Sequence, residues 1–191
     1  MKLLVIFTLF VSVSISAQEF VPSFEEDLTN PAVKFTLDKK GGFKEVVVLR
    51  WHDSVYTKNG HINYTFEQGF DYPKKQGFIR TYDAENKLIN EDYSYKYDGI
   101  VAREELLQVF EIFKSNPSVK KILAEIKEPI TLHGGFSYAD KEESQPCYSG
   151  NRCVHVFASI PSNSVAAHAI VKLTDKSVPY PHFDAEMYRK K

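Results

Sequence analysis

Apolar and polar residues alternate along much of the stretch from residue 33 to 97. VKFTL, KEVVVLRW, HINYTFEQ, GFIRTY and KLINEDYSYKY each approximate a period of two, which predicts strands with one wetted face. Gly41-Gly42, Lys58-Asn59-Gly60 and Asp83-Ala84-Glu85-Asn86 separate these runs. Asn59-Gly60 is a strong two-residue hairpin signal, because both positions tolerate φ > 0. The pattern therefore reads as an antiparallel meander. In its last strand Tyr93, Tyr95 and Tyr97 fall on one face and Asp92, Ser94 and Lys96 on the other. A tyrosine row of this kind is expected to cover a core.

After Asp98 the period changes. Leu106, Val109, Phe110 and Phe113 recur at i, i+3, i+4 and i+7, and Val119, Ile122, Leu123 and Ile126 repeat the spacing, so two helices each carry one apolar stripe. Asn116 caps the second helix, Pro117 suits its first turn, and Pro129 stops it. Strands follow in ITLHGGFSY, RCVHVFASI, AAHAIVKL and SVPYPHF. If Pro161-Ser162-Asn163-Ser164 joins the middle pair with Ile160 opposite Val165, then Phe157 opposes His168, His155 opposes Ile170, and Cys153 opposes Lys172. Val154, Val156, Ala158, Ala167, Ala169 and Val171 then share the other face, a seat for the helices. The fold class is α+β: an antiparallel β region over 18–97, then a helix-plus-four-strand unit over 98–191, the two free to form one domain.

The N-terminus changes the picture of location. MKLLVIFTLFVSVSISAQ carries one lysine, an apolar run from Leu3 to Val13 and small residues up to Ala17, the pattern of a signal peptide over 1–17 cut before Gln18. The run is too short to span a bilayer of about 30 Å permanently, and no later segment offers an integral membrane span. The expected destination is outside the cell or in the periplasm. Charge is nearly balanced, with 24 Lys+Arg against 25 Asp+Glu, so the basic face that nucleic-acid binding requires is not expected.

Location in turn bears on PCYSGNRCVHVF, which holds the two cysteines of the chain. In an oxidising compartment a Cys147–Cys153 disulfide is expected, with Gly150-Asn151 reversing the chain between them; free thiols or metal ligands are the alternatives.

The order of helix and four strands, with EELLQVFEIFKSNP, KEPITLHGGFSY and AHAIVKLTDKSVPYPHFD, resembles the small N-terminal domains of copper amine oxidases over about 98–184. That resemblance implies a cystatin-like form in which a helix is cradled by an antiparallel sheet. It implies no catalysis: the oxidase motif Asn-Tyr-Asp/Glu has here only Asn63-Tyr64-Thr65, and the chain is too short for the oxidase catalytic domain. A cystatin-type inhibitor would need a Q-x-V-x-G loop, which the sequence lacks. Asn63-Tyr64-Thr65 is also a glycosylation sequon, of consequence only in a eukaryotic secretory route.

Other chemistry is sparse. The sequence has no G-x-S-x-G, HExxH, phosphate-cradling glycine loop or CxxC. Trp51-His52-Asp53-Ser54 places adjacent strand residues on opposite faces, which argues against a working triad. Glu104-Glu105 reads as favourable charge at a helix start, and Glu142-Glu143 as a solvated loop. The remaining candidates are His155 and His168, diagonal neighbours on one face, joined by His133 if the Gly134-Gly135 bulge leaves it there. Three neutral imidazoles with an open position suit zinc or copper. The leading expectation is an exported, non-catalytic protein that binds a protein partner, small ligand or envelope component. The alternatives are a metal-binding protein or a metal-assisted hydrolase using the histidine face.

Overall fold

The structure is a computed structural model describing residues 23–58, 60–162 and 164–183. The expected signal peptide and its cut before Gln18 lie outside these residues. The described residues form strands β1 (Phe24–Glu26), β2 (Lys34–Leu37), β3 (Phe43–Thr57), β4 (Gly60–Asp71), β5 (Gln76–Tyr82) and β6 (Leu88–Ser94). Helices α1 (Arg103–Ser115) and α2 (Pro117–Ala124) follow, then β7 (Ile130–Tyr138), β8 (Cys153–Ser159), β9 (Val165–Lys172) and β10 (Ser177–Tyr180). Two five-stranded sheets result, β2-β3-β4-β5-β6 and β1-β7-β8-β9-β10. The fold is α+β.

The helices form where the sequence pattern places them. Asn116 ends α1 and caps α2, its side chain accepting hydrogen bonds from the amides of Ser118 and Val119. Leu106, Val109, Phe110, Phe113, Val119 and Leu123 pack into one core with Val154, Val156, Ala158, Ala167, Ala169 and Val171. Alanine and valine on the strand side leave the backbone close enough to accept the larger helix side chains. The opposite face of the same strands carries His155, Phe157 and His168.

The β8–β9 register runs from Cys153 opposite Lys172 to Ala158 opposite Ala167, as the sequence implies. At the turn it departs: a bulge sets Ser159, not Ile160, against Val165. Ile160 instead donates its amide to the Ser164 carbonyl and closes a tighter loop. In the meander Thr57 pairs with Gly60, which opens β4 at φ 117°; Asn59, the residue before it, lies outside the described residues.

Two further differences matter. The tyrosine row does not form, because β6 ends at Ser94, whose hydroxyl accepts from the Lys96 amide and turns Tyr95–Tyr97 into a 3-10 helix. Tyr95 is exposed, while Tyr93 alone stays on the strand opposite Phe78. The stretch 18–97 is also not all meander: β1 pairs with β7, parallel, with Phe24 beside Ile130. The two halves are further joined where Val46 and Val48 of β3 pack on Ala102, with Ala32, Phe43 and Tyr72 around them.

Candidate functional site

Alternation along β8 puts Cys153, His155 and Phe157 on one face. Cys147 reaches Cys153 across the preceding loop and forms the expected disulfide, with Cα atoms 5.8 Å apart. Asp140 organises the approach: it accepts from the Cys147 amide at 2.8 Å and from the Tyr138 and Tyr180 hydroxyls, each also at 2.8 Å. Gly150, at φ 85°, lets the loop lie against the first half of the chain; a Cβ there would meet the Lys75 carbonyl at 2.6 Å.

The histidine face is built from the same strands. His155 Nδ1 lies 2.9 Å from His168 Nε2, and whichever nitrogen carries hydrogen donates to the other. His133 opposes Phe157 directly, so it shares that face, and the bulge in β7 falls after it. It does not join the pair, because the Phe157 ring stands between: His133 stacks on Phe157 at 5.2 Å and Phe157 stacks on His168 at 4.1 Å. His133 turns instead to Ser159, with Nε2 2.7 Å from Oγ. Among the described residues, no three His, Cys, Asp or Glu side chains gather as metal ligands. Phe183 covers the pair edge-on, 5.4 Å from His155 and 4.9 Å from His168. Burial, and secondarily the neighbouring His168, lower the pKa of His155 to about 4; burial also lowers that of His168. The face is thus an aromatic stack in which burial favours the neutral forms of His155 and His168.

The sequence-level reading missed the most heavily bonded group. Arg152, next to Cys153, is 1% exposed. It donates from Nε and Nη2 to the two carboxylate oxygens of Glu105 at 3.0 and 2.9 Å, from Nη1 to Asp98, and from Nη2 to the Ile100 carbonyl at 2.6 Å. Glu105 is fully buried and also accepts from the Tyr72 hydroxyl at 2.5 Å and the Ala102 amide at 3.0 Å. Glu105 stands in the first turn of α1, as expected of a favourable charge at a helix start, and is at the same time a buried junction. Burial opposes the Arg152 charge, but Glu105 and Asp98 outweigh it and raise the pKa above the ordinary arginine value. Burial and the Glu105 charge keep the Tyr72 phenol well above its usual range. The available signal was a glutamate four residues before Val109, inside the apolar stripe of α1.

The remaining sequence candidates are dispersed. His52 bonds Thr65 at 2.9 Å, Ser54 donates to the Asn63 side chain at 2.6 Å, and Asp53 accepts from the Ser54 amide, so no dyad exists there. Glu142 and Glu143 are exposed.

One surface stands out for what it leaves uncovered. β2 pairs with β3 only as far as Val47, which leaves Leu49–His52 an open edge beside β4, and β5 pairs with β4 only from Thr65, so Asp53–Thr57 and Gly60–Tyr64 continue outward as a two-stranded ribbon. The register puts Leu49, Trp51, Val55, Ile62, Tyr64 and Phe66 on one face, interrupted by Asp53 opposite Tyr64. Trp51 stacks on Phe66 at 5.2 Å, yet Trp51 is 37% exposed, Val55 45% and Ile62 41%. Arg50, His52, Ser54 and Tyr56 occupy the other face. The apolar face continues that of Val46 and Phe70, which the second half of the molecule covers.

No protein-family model matches the chain, and no curated protein matches it. Among the described residues no helix is long and apolar enough to cross a membrane.

Proposed function

We propose that this is an exported, non-catalytic binding protein, secreted or periplasmic, whose β3–β4 ribbon docks a protein partner. The exposed apolar face of Trp51, Val55 and Ile62 carries this reading: a row of large apolar side chains projecting from the body is unfavourable in water and becomes favourable when covered. The rest of the reading follows from chemistry already spent. His133, His155 and His168 bond or stack within the protein, and Ser54 bonds Asn63. The helices lying on antiparallel β7–β10 accord with the cystatin-like resemblance, and the disulfide accords with an oxidising compartment. In the test, immobilised protein meets envelope extract of its host beside the V55D/I62D variant. One partner retained near stoichiometry by the native chain and lost from the variant supports the proposal; equal retention, or none by either, overturns it.

The histidine pair supports a second reading, metal binding without turnover. Two ligands of a tetrahedral zinc at about 2.0–2.1 Å stand roughly 3.3 Å apart, close to the 2.9 Å separation of His155 Nδ1 and His168 Nε2. A zinc or copper ion would take these two nitrogens after loss of their shared hydrogen bond, and His133 would not contribute.

A further inference from the structure

We infer that the cleft between the two sheets is a binding site for a small amphipathic anion, a carboxylate, sulfate or phosphate ester on an apolar body. The cleft has a volume of about 400 Å³, within the range of small-molecule sites. Three turns converge on it: β2–β3 brings Lys40, β4–β5 brings Lys75, and β9–β10 brings Lys176, while Lys44 stands at the start of β3. Among the described residues none of these four lysines is in an ion pair. The acid in the lining, Asp38, is committed to its own turn, accepting from the amides of Lys40 at 2.7 Å and Gly42 at 2.9 Å. Four cationic heads against one carboxylate, whose charge also acts on Lys40 and Lys176, leave a net positive rim.

The wall beneath that rim is apolar, formed by Phe43 and Leu173. It gives a hydrophobic body somewhere to rest while the head meets the lysines. Thr174, on the same wall, has a buried hydroxyl with no hydrogen-bond partner among the described residues. Lys75 and Lys176 both hold left-handed backbone, at φ 55° and 56°. Such a conformation costs a non-glycine residue on the order of 1 kcal/mol, and here both turns aim a lysine at one cavity. Concavity and size favour a small molecule over the flat footprint of a protein or nucleic acid.

Calorimetric titration with 1-naphthyl phosphate, 1-naphthoate, inorganic phosphate and neutral 1-naphthalenemethanol tests the inference. The two naphthyl anions are expected to bind saturably at one site per chain, inorganic phosphate at least tenfold more weakly, and the neutral alcohol not measurably. K75Q/K176Q should weaken the anions at least tenfold, and Q108E, which places a carboxylate in the cleft without altering a turn, should do likewise with an unchanged melting temperature. Binding of the alcohol as tightly as the anions, unaltered affinity in both variants, or no saturable binding of either anion overturns the proposal. The V55D/I62D variant should bind the probes like the native chain, so failure of the cleft and failure of the ribbon are read separately.

Discussion

Arg152 and Glu105 meet as a two-pronged ion pair inside the protein, 1% and 0% exposed, and they belong to different elements: the loop before β8 and the first turn of α1. Tyr72 at the end of β4 and Asp98 after the meander attach to the same pair, so both sheets are tied to it. Removing one partner leaves a buried charge uncompensated. Arg152→Met is therefore expected to cost about 3–5 kcal/mol in urea unfolding, and R152M/E105L to recover a large part of that loss. A loss below about 1 kcal/mol for R152M would contradict the buried junction.

The Cys147–Cys153 clamp closes a short loop that rests on Lys75. Its removal in C147S/C153S is expected to lower stability by roughly 2–3 kcal/mol, chiefly by freeing the unfolded chain. Reduction followed by mass measurement should show a gain of two hydrogens, and an unchanged mass would refute the bond.

His155 is lowered to a pKa of about 4 by burial and by His168, against an ordinary value of 6.5. The unfolded chain thus binds more protons at this position than the folded one between about pH 6.5 and 4. The stabilising contribution is fully present above pH 6.5 and is lost as pH falls through that window. His155→Phe, which keeps the ring stack, should flatten the decline of melting temperature over this interval. A decline identical to that of the native chain would assign it to other groups, His168 or the carboxylates.

Metal analysis of protein purified without a histidine tag separates the two readings of the histidine face. The leading reading expects substoichiometric zinc and copper. A stoichiometric ion lost in H155A but retained in H133A would establish the second reading, since His133 lies beyond Phe157.

Trp51 is the single tryptophan of the chain and sits on the ribbon face, so its emission reports on that face alone. V55D/I62D should leave the melting temperature within about 2 °C of the native value, as expected for exposed positions changing stability by less than about 0.5 kcal/mol. Partner binding should shift the emission to shorter wavelength in the native chain and not in the variant.

Much of this architecture was legible because it follows local periodicity. The i, i+3, i+4 stripes gave α1 and α2, and a proline-containing turn gave the β8–β9 register to within one bulge, which in turn placed His155 and His168 on one face. What was not legible depends on contacts far apart in sequence. Nothing near Arg152 signals that Glu105 awaits it, and nothing near Phe24 signals β7. Tyr95 and Tyr97 continued a period of two past the strand because Ser94 competes for the backbone, an interaction that alternation cannot report. His133 shared the predicted face yet missed the pair, since face is set by register but convergence is set by the ring standing between.

The parallel pairing of Phe24–Glu26 with β7 has a consequence for how the protein comes together. Ile130 reaches Phe24 only after the meander and both helices have been made, so this closure is among the most distant in the chain and is favoured late. Until it closes, β7 offers a row of unpaired amides and carbonyls to any passing strand, including one from another copy. Three residues thus act as a guard on the sheet edge. Their loss should show first as association between molecules during refolding, before any change in the finished core.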